Sequence, residues 1–287
     1  MDIEIQQPQP LRPIWDALLE VYEVFAAICD RNGLRYCADC GTALGAIRHK
    51  GFIPWDDDMD IQMPRPDYDR FVEIAQRELP EGYAWVDRFN CEGFELPFGK
   101  VIITDEKKLS RVSRSYGTPL EDGIFIDVFP LDGYPDSSLE VAWRKAQEFF
   151  LNCSSRYYSG LRRCGNLRSI IAWAIGACLW KYKIKSLKDK SDFYEKRARR
   201  YPFGETKRCV SIGLAALWDD KPYPVGFFGV PRKVGFDRVE MPVQENADGY
   251  LTSVFGDYMQ MPPVEKRHST HDHSRIAPWR HGKVHGK

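Results

Sequence analysis

The chain carries no surplus of charge: across 287 residues, 41 Lys and Arg are balanced by 41 Asp and Glu. Holding a nucleic-acid backbone takes an excess of cations, so no nucleic-acid partner is expected. Long apolar runs are also missing. The longest, Ile170 to Trp180, is about eleven residues, well short of the roughly 20 that a bilayer-spanning helix needs. Met1 to Pro10 is polar, with three Gln and two Pro, and lacks the apolar core of a secretory leader, so a cytoplasmic protein is expected. Cys37 and Cys40 form a CxxC with no second one at zinc spacing, and the eight Cys read as free thiols that pack as small hydrophobes.

What the chain does have is acid concentrated in one place. In GTALGAIRHKGFIPWDDDMDIQM (Gly41 to Met63), Asp56, Asp57, Asp58 and Asp60 put four carboxylates into five positions, leading into an apolar alternation through Met59, Ile61 and Met63. In an extended segment alternate side chains share a face, so Asp56, Asp58 and Asp60 form a ledge while Asp57, Met59 and Ile61 face away. Two ionised carboxylates about 4 Å apart repel by roughly 4 kcal/mol at an effective dielectric of about 20. Either a cation offsets that or a pKa rises. Mg²⁺ (or Mn²⁺) suits the site, since Mg²⁺ commonly bridges one or two carboxylates and substrate phosphates. The alternative is a solvated acidic loop; the Gly and distal Glu spacing of an EF-hand loop is absent.

Upstream, Leu34 to Cys40 reads as a short strand and Ala43 to Arg48 as a helical turn or two, with Gly41 and Thr42 at the junction. A glycine and a small hydroxyl residue there let backbone N–H groups approach a phosphate. Arg48, His49 and Lys50 add three potential cations for a diphosphate, or form a solvated basic turn. Trp55 is either core or an aromatic face for a base or a quaternary ammonium group. Asp127, flanked by Ile126 and Val128 at the end of the expected strand Gly123 to Val128, needs a partner, and a metal shared with Asp58 and Asp60 would serve. Lys100, in the expected strand Phe98 to Thr104, is a candidate phosphate contact. Asp132, in LDGYP, reads as turn chemistry.

The remaining pattern supplies scaffold. Apolar spacing predicts helices over Pro13 to Asn32, with Gly33 as stop, and over Arg65 to about Leu79, with Pro66 in its first turn. Further strands are expected over Tyr83 to Val86 and Leu109 to Arg114, and two short ones within Phe228 to Val243. Helices are expected over Ser137 to Tyr158, Leu167 to Tyr201 and Glu245 to Phe255. The run Ile170 to Trp180, followed by Lys181, Lys183 and Lys185, suits either packing on the sheet or contact with an anionic membrane. His271 and His273 lie in a polar tail with the composition of a flexible end rather than of a metal site.

Gly41-Thr42, an intervening helix and then Asp58-Met59-Asp60-Ile61 resemble the signature of the polymerase-β-like nucleotidyltransferase superfamily, a helical turn after Gly-Ser or Gly-Gly followed by Asp-x-Asp. More narrowly, GTALGAIRHKGFIPWDDDMDI is similar to the motif of the LicD family, the phosphocholine transferases of bacterial glycan decoration, related to the fukutin-type phosphoribitol transferases. GIFIDVFPLDGYP (Gly123 to Pro135) and FGDYMQMPPVEKR (Phe255 to Arg267) are similar to later segments of that family. Thr42, and the interval to Asp58, depart from the wider superfamily pattern.

The resemblance implies an α+β fold, a nucleotidyltransferase-like mixed β-sheet flanked by helices with a helical subdomain. The expected division is a catalytic core over 1–136, helices over 137–207, completing strands and a helix over 208–267 and a flexible tail over 268–287. It also implies Asp127 as a third carboxylate and Glu265 to His268 as a closing segment. The activity implied is metal-dependent transfer of phosphocholine from CDP-choline onto a glycan hydroxyl, lipid-linked or not, in lipopolysaccharide or teichoic acid biosynthesis at the inner face of the membrane. Asp58 and Asp60 would hold the metal with Asp56 assisting. Another donor such as CDP-ribitol, nucleotidyl transfer, or a non-catalytic ion-dependent glycan- or nucleotide-binding module are the alternatives.

Overall fold

The computed structural model describes residues 11–117, 119–121, 123–159, 167–178, 187–211 and 221–268. In chain order its elements are α1 (Arg12–Asn32), β1 (Cys37–Ala38), α2 (Cys40–Leu44), a π-helical turn (Gly45–His49), β2 (Asp60–Pro64), α3 (Arg65–Glu78), β3 (Tyr83–Val86), β4 (Gly99–Ile103), α4 (Glu106–Tyr116) and β5 (Phe125–Tyr134). There follow α5 (Ser138–Ser159), α6 (Leu167–Cys178), α7 (Leu187–Ala198), β6 (Arg208–Ser211), β7 (Tyr223–Pro224), β8 (Arg232–Phe236), β9 (Val239–Val243) and α8 (Ala247–Phe255).

Two compact units result, one within Met1–Phe94, Phe98–Leu131 and Gly226–Lys287, the other within Glu95–Pro97 and Asp132–Val225. In the first, the strands run β1-β2-β5-β4-β3, with β2 parallel to β5 and the other pairs antiparallel. This is the α+β class expected, a mixed sheet flanked by helices. Helix α1 buries a stripe from Ile14 through Trp15, Leu18, Tyr22 and Phe25 to Cys29, and ends where Gly33 turns left-handed at φ 61°. Phe25 packs on Phe71 of α3, and Phe71 on Trp85 of β3, which ties both helices to the sheet. Burying each such ring contributes about 1.5–3 kcal/mol.

Two expectations are corrected. Leu109 to Arg114 lies in helix α4, not a strand: Asp105 caps it by accepting from the Lys107 and Lys108 amides, and Gly117 closes it in the left-handed region. Its inward side, Leu109, Val112, Ser113 and Tyr116, follows helical spacing, but only Leu109 is fully buried. Asp132 is not at a turn, because β5 continues to Tyr134 and buries it. Within the second unit the Gly133 amide donates to the Tyr201 carbonyl at 2.7 Å, and a Cβ on Gly133 would sit 2.6 Å from Thr206 Oγ1. Only glycine permits that approach.

The expected helix Leu167 to Tyr201 is described as two, α6 and α7, and residues 179–186 lie outside the described chain, as do His271 and His273. In the second unit β6 pairs with β7. Hairpin β8–β9 occupies the place of the two short strands expected before α8.

Candidate active site

Register brings the site together. In the parallel pair Asp60 of β2 lies opposite Asp127 of β5, and in the antiparallel pair Asp127 lies opposite Lys100 of β4. Three adjacent strands therefore carry Asp60, Asp127 and Lys100 in one row. Lys100 Nζ donates to Asp127 Oδ1, and their side chains are 6% and 15% exposed. The ammonium also lies 3.7 Å from the ring centroid of Phe125 and 5.6 Å from that of Phe98. The partner that Asp127 needs is thus Lys100, and the Lys100 charge is held by a carboxylate and two aromatic faces.

The acidic ledge begins before the strand. Only Asp60 lies in β2; Asp56 to Met59 form the irregular approach to it. The Asp56 carbonyl accepts from Trp15 Nε1 at 2.7 Å, anchoring the approach to α1, while Trp15 stacks on Phe52. The Asp56 carboxylate lies against Gly41, where a Cβ would come within 2.7 Å of Oδ2. Burial, then Asp58 and Asp57, push the Asp56 carboxyl well above the ordinary carboxylate range. Burial does the same to Asp60, with Asp58, Asp127, Asp39 and Asp56 adding repulsion.

This is the electrostatic state a hard cation relieves, and an all-oxygen donor set suits Mg²⁺. Yet among the described residues no group of three or more His, Cys, Asp or Glu side chains is arranged to hold a metal ion by itself. Asp56, Asp58, Asp60 and Asp127 are close enough to repel but do not surround one point. An ion placed there would take no more than two of these carboxylates as ligands.

Helix α2 is latched to the ledge. Thr42 is 4% exposed and its hydroxyl accepts from the Asp60 amide at 2.8 Å, so it positions the strand rather than presenting itself to a phosphate. Asp39, which sequence reasoning missed, caps α2 by accepting from the Cys40 amide, while Tyr250 of α8 donates to the same carboxylate. An Asp immediately before a helical segment is the signal that would have revealed it. Among the described residues neither Cys37 nor Cys40 forms a disulfide, and Cys37 is fully buried.

Arg48, His49 and Trp55 form a second group. Arg48 Nε donates to His49 Nε2 at 2.9 Å and its Nη1 to the Tyr258 carbonyl at 2.6 Å. His49 meets Trp55 edge-on at 6.4 Å, and the Arg267 guanidinium lies 5.8 Å from the Trp55 ring centroid. Burial, and secondarily Arg48, lower the His49 pKa to about 4, which keeps the ring neutral. Lys50 is left-handed at φ 59°, its carbonyl accepts from the Asp237 amide, and its side chain is exposed. Of the expected closing residues, Arg267 is the one against Trp55; Glu265 and Lys266 are exposed.

A mixed sheet flanked by helices, with an acidic row beside a short helix, fits a nucleotidyltransferase-like fold. Residues 33–152 match the family model described as LicD/FKTN/FKRP, nucleotidyltransferase domain. The chain is 29% identical over 269 residues to the lipopolysaccharide cholinephosphotransferase LicD of Haemophilus influenzae, covering 88% of this chain and 92% of that one. Over 53 residues, 18% of this chain, it is 42% identical to an uncharacterized protein of Rickettsia typhi and 40% identical to one of Rickettsia prowazekii, covering 17% and 20% of those proteins.

Proposed function

We propose that this protein is a transferase that moves phosphocholine from CDP-choline to a hydroxyl of a glycan such as lipopolysaccharide, with a divalent cation. The observation that carries the reading is the row Asp60, Asp127, Lys100 beside Asp58 and Asp56, within a chain similar over nearly its whole length to a cholinephosphotransferase. The acceptor oxygen would attack the choline-side phosphorus, and the bond from that phosphorus to the bridging oxygen would break as CMP leaves. The acceptor proton would pass to a carboxylate, for which Asp127 is the candidate. Asp58 and Asp60, with Asp56 beside them, would hold the cation. When bound, that ion supplies charge stabilisation to the diphosphate oxygens. Lys100 would keep the row close to neutral as charge moves.

A lipid-linked acceptor at the cytoplasmic face of the membrane accords with the apolar residues exposed in the second unit, Leu139, Trp143 and Phe149 on α5 and Ile170 and Ile171 on α6. Among the described residues no helix is long and apolar enough to cross a membrane. The test is CMP release from CDP-choline with a glycan acceptor, with Mg²⁺ and with chelator. Turnover abolished by chelator is expected. Turnover with CDP-ribitol but not CDP-choline would overturn the donor, and equal turnover in chelator would overturn the metal.

A further inference from the structure

We propose that Arg48 and Arg267, brought together around Trp55, clamp the phosphates of the donor nucleotide, and that this arrangement bars a quaternary ammonium group from the Trp55 ring. The inference deepens the transfer reading above and rests on it only for the identity of the donor.

Two segments far apart in sequence build the clamp. Arg48 leaves the π-helical turn and is fastened to the segment after α8 through the Tyr258 carbonyl, while Arg267 Nε donates to the Pro262 carbonyl at 2.8 Å. Everything these two guanidiniums touch among the described residues is neutral: backbone carbonyls, the indole of Trp55 and a His49 ring kept uncharged by burial. No carboxylate among the described residues pairs with either. Burial and then the charge of Arg267 lower the Arg48 pKa, as expected when like charges face one another without an anion between them.

A guanidinium has five N–H donors in a rigid fork, and the carbonyls and His49 take up only part of that capacity. Both arginines retain solvent access. Two forked cations with spare donors match phosphate oxygens bidentately. A choline headgroup would need an open aromatic face, and Arg267 already lies over the Trp55 ring, where a second cation would be repelled. The phosphates and the nucleotide therefore belong on this side, and the cationic headgroup elsewhere.

The test is isothermal titration of the full chain with CMP, pyrophosphate, inorganic phosphate and phosphocholine, all in chelator so that the acidic ledge takes no part. CMP and pyrophosphate are expected to bind the unaltered protein, phosphocholine no more tightly than inorganic phosphate. Arg48→Gln and Arg267→Gln should each weaken CMP and pyrophosphate by roughly 10- to 100-fold, the range for losing a charged hydrogen bond, with Arg267→Lys recovering part of the loss. Absent pyrophosphate binding, unchanged affinity in both Gln variants, or preferential binding of phosphocholine would each overturn the clamp. Arginine-dependent pyrophosphate binding without CDP-choline turnover would keep the clamp and overturn the transfer reading. CDP-choline turnover with nucleotide affinity indifferent to both arginines would do the reverse.

Discussion

Lys100→Met removes one end of a buried ion pair while keeping a long apolar stem in place. Asp127 would then remain on β5, an inner strand of the sheet, opposite Asp60 and without its cation. Breaking a buried pair by removing one partner costs about 3–5 kcal/mol, because the remaining charge is stranded in a poor solvent for it. Loss of the contacts to the Phe125 and Phe98 faces would add about 0.5–2 kcal/mol. Typical total stabilities are about 5–15 kcal/mol, so the single variant should be severely weakened. At about 2–4 °C per kcal/mol, a loss of roughly 3 kcal/mol lowers the melting temperature by roughly 6–12 °C. Asp127→Asn alone strands the ammonium and should cost a similar amount. The double variant strands neither charge, so its loss should fall short of the sum of the singles by about 2 kcal/mol or more. Urea unfolding of all four proteins at pH 7 in chelator measures this. A Lys100→Met loss under about 1 kcal/mol, or singles that add within about 0.5 kcal/mol, would refute the pair as a structural unit.

Asp60→Asn should lower CMP release by at least about 100-fold, yet leave the metal-free protein as stable as before or more so, since it removes a charge that burial and four neighbouring carboxylates already disfavour. The linkage has a definite sign: Asp60 is held above the ordinary carboxylate range, so its contribution is complete below about pH 4 and is lost as pH rises through the elevated value. Melting curves in chelator from pH 4 to 8 should fall for the unaltered protein and flatten in the Asn variant; parallel curves would contradict this. Gly45→Ala should open the turn that carries Arg48, because its Cβ would lie 2.4 Å from the Gly51 carbonyl oxygen, a backbone atom that cannot swing aside. A loss of about 1–3 kcal/mol with weakened nucleotide binding is expected from urea unfolding and titration, and normal binding would refute that placement of the turn.

The local rules of this chain are readable where one residue type decides the backbone. Helix α1 has an apolar stripe and Gly33 at its end, α3 has Pro66 in its first turn, and the two short strands expected within Phe228 to Val243 pair as the β8–β9 hairpin. The concentration of Asp56, Asp58 and Asp60 likewise shows in sequence that charge must be managed there, because neighbours along a chain cannot escape one another. Helix α4 is legible too, in its cap Asp105, its stop Gly117 and the helical spacing of Leu109, Val112 and Tyr116. That spacing carries few apolar residues, and the strand expected over it misreads it.

Tertiary structure decided which remote groups answer those charges. Lys100 meets Asp127 only because the β4–β5 register sets them opposite, and a slip of one residue would turn either to the other face. Thr42 lies against Asp60, and Tyr250 against Asp39, through folding over separations that no local spacing encodes. Arg267 reaches Trp55 from the far end of the described chain. Sequence determines which residues need partners, since burial and charge follow from residue type; only the packed sheet and the segment after α8 determine who the partners are.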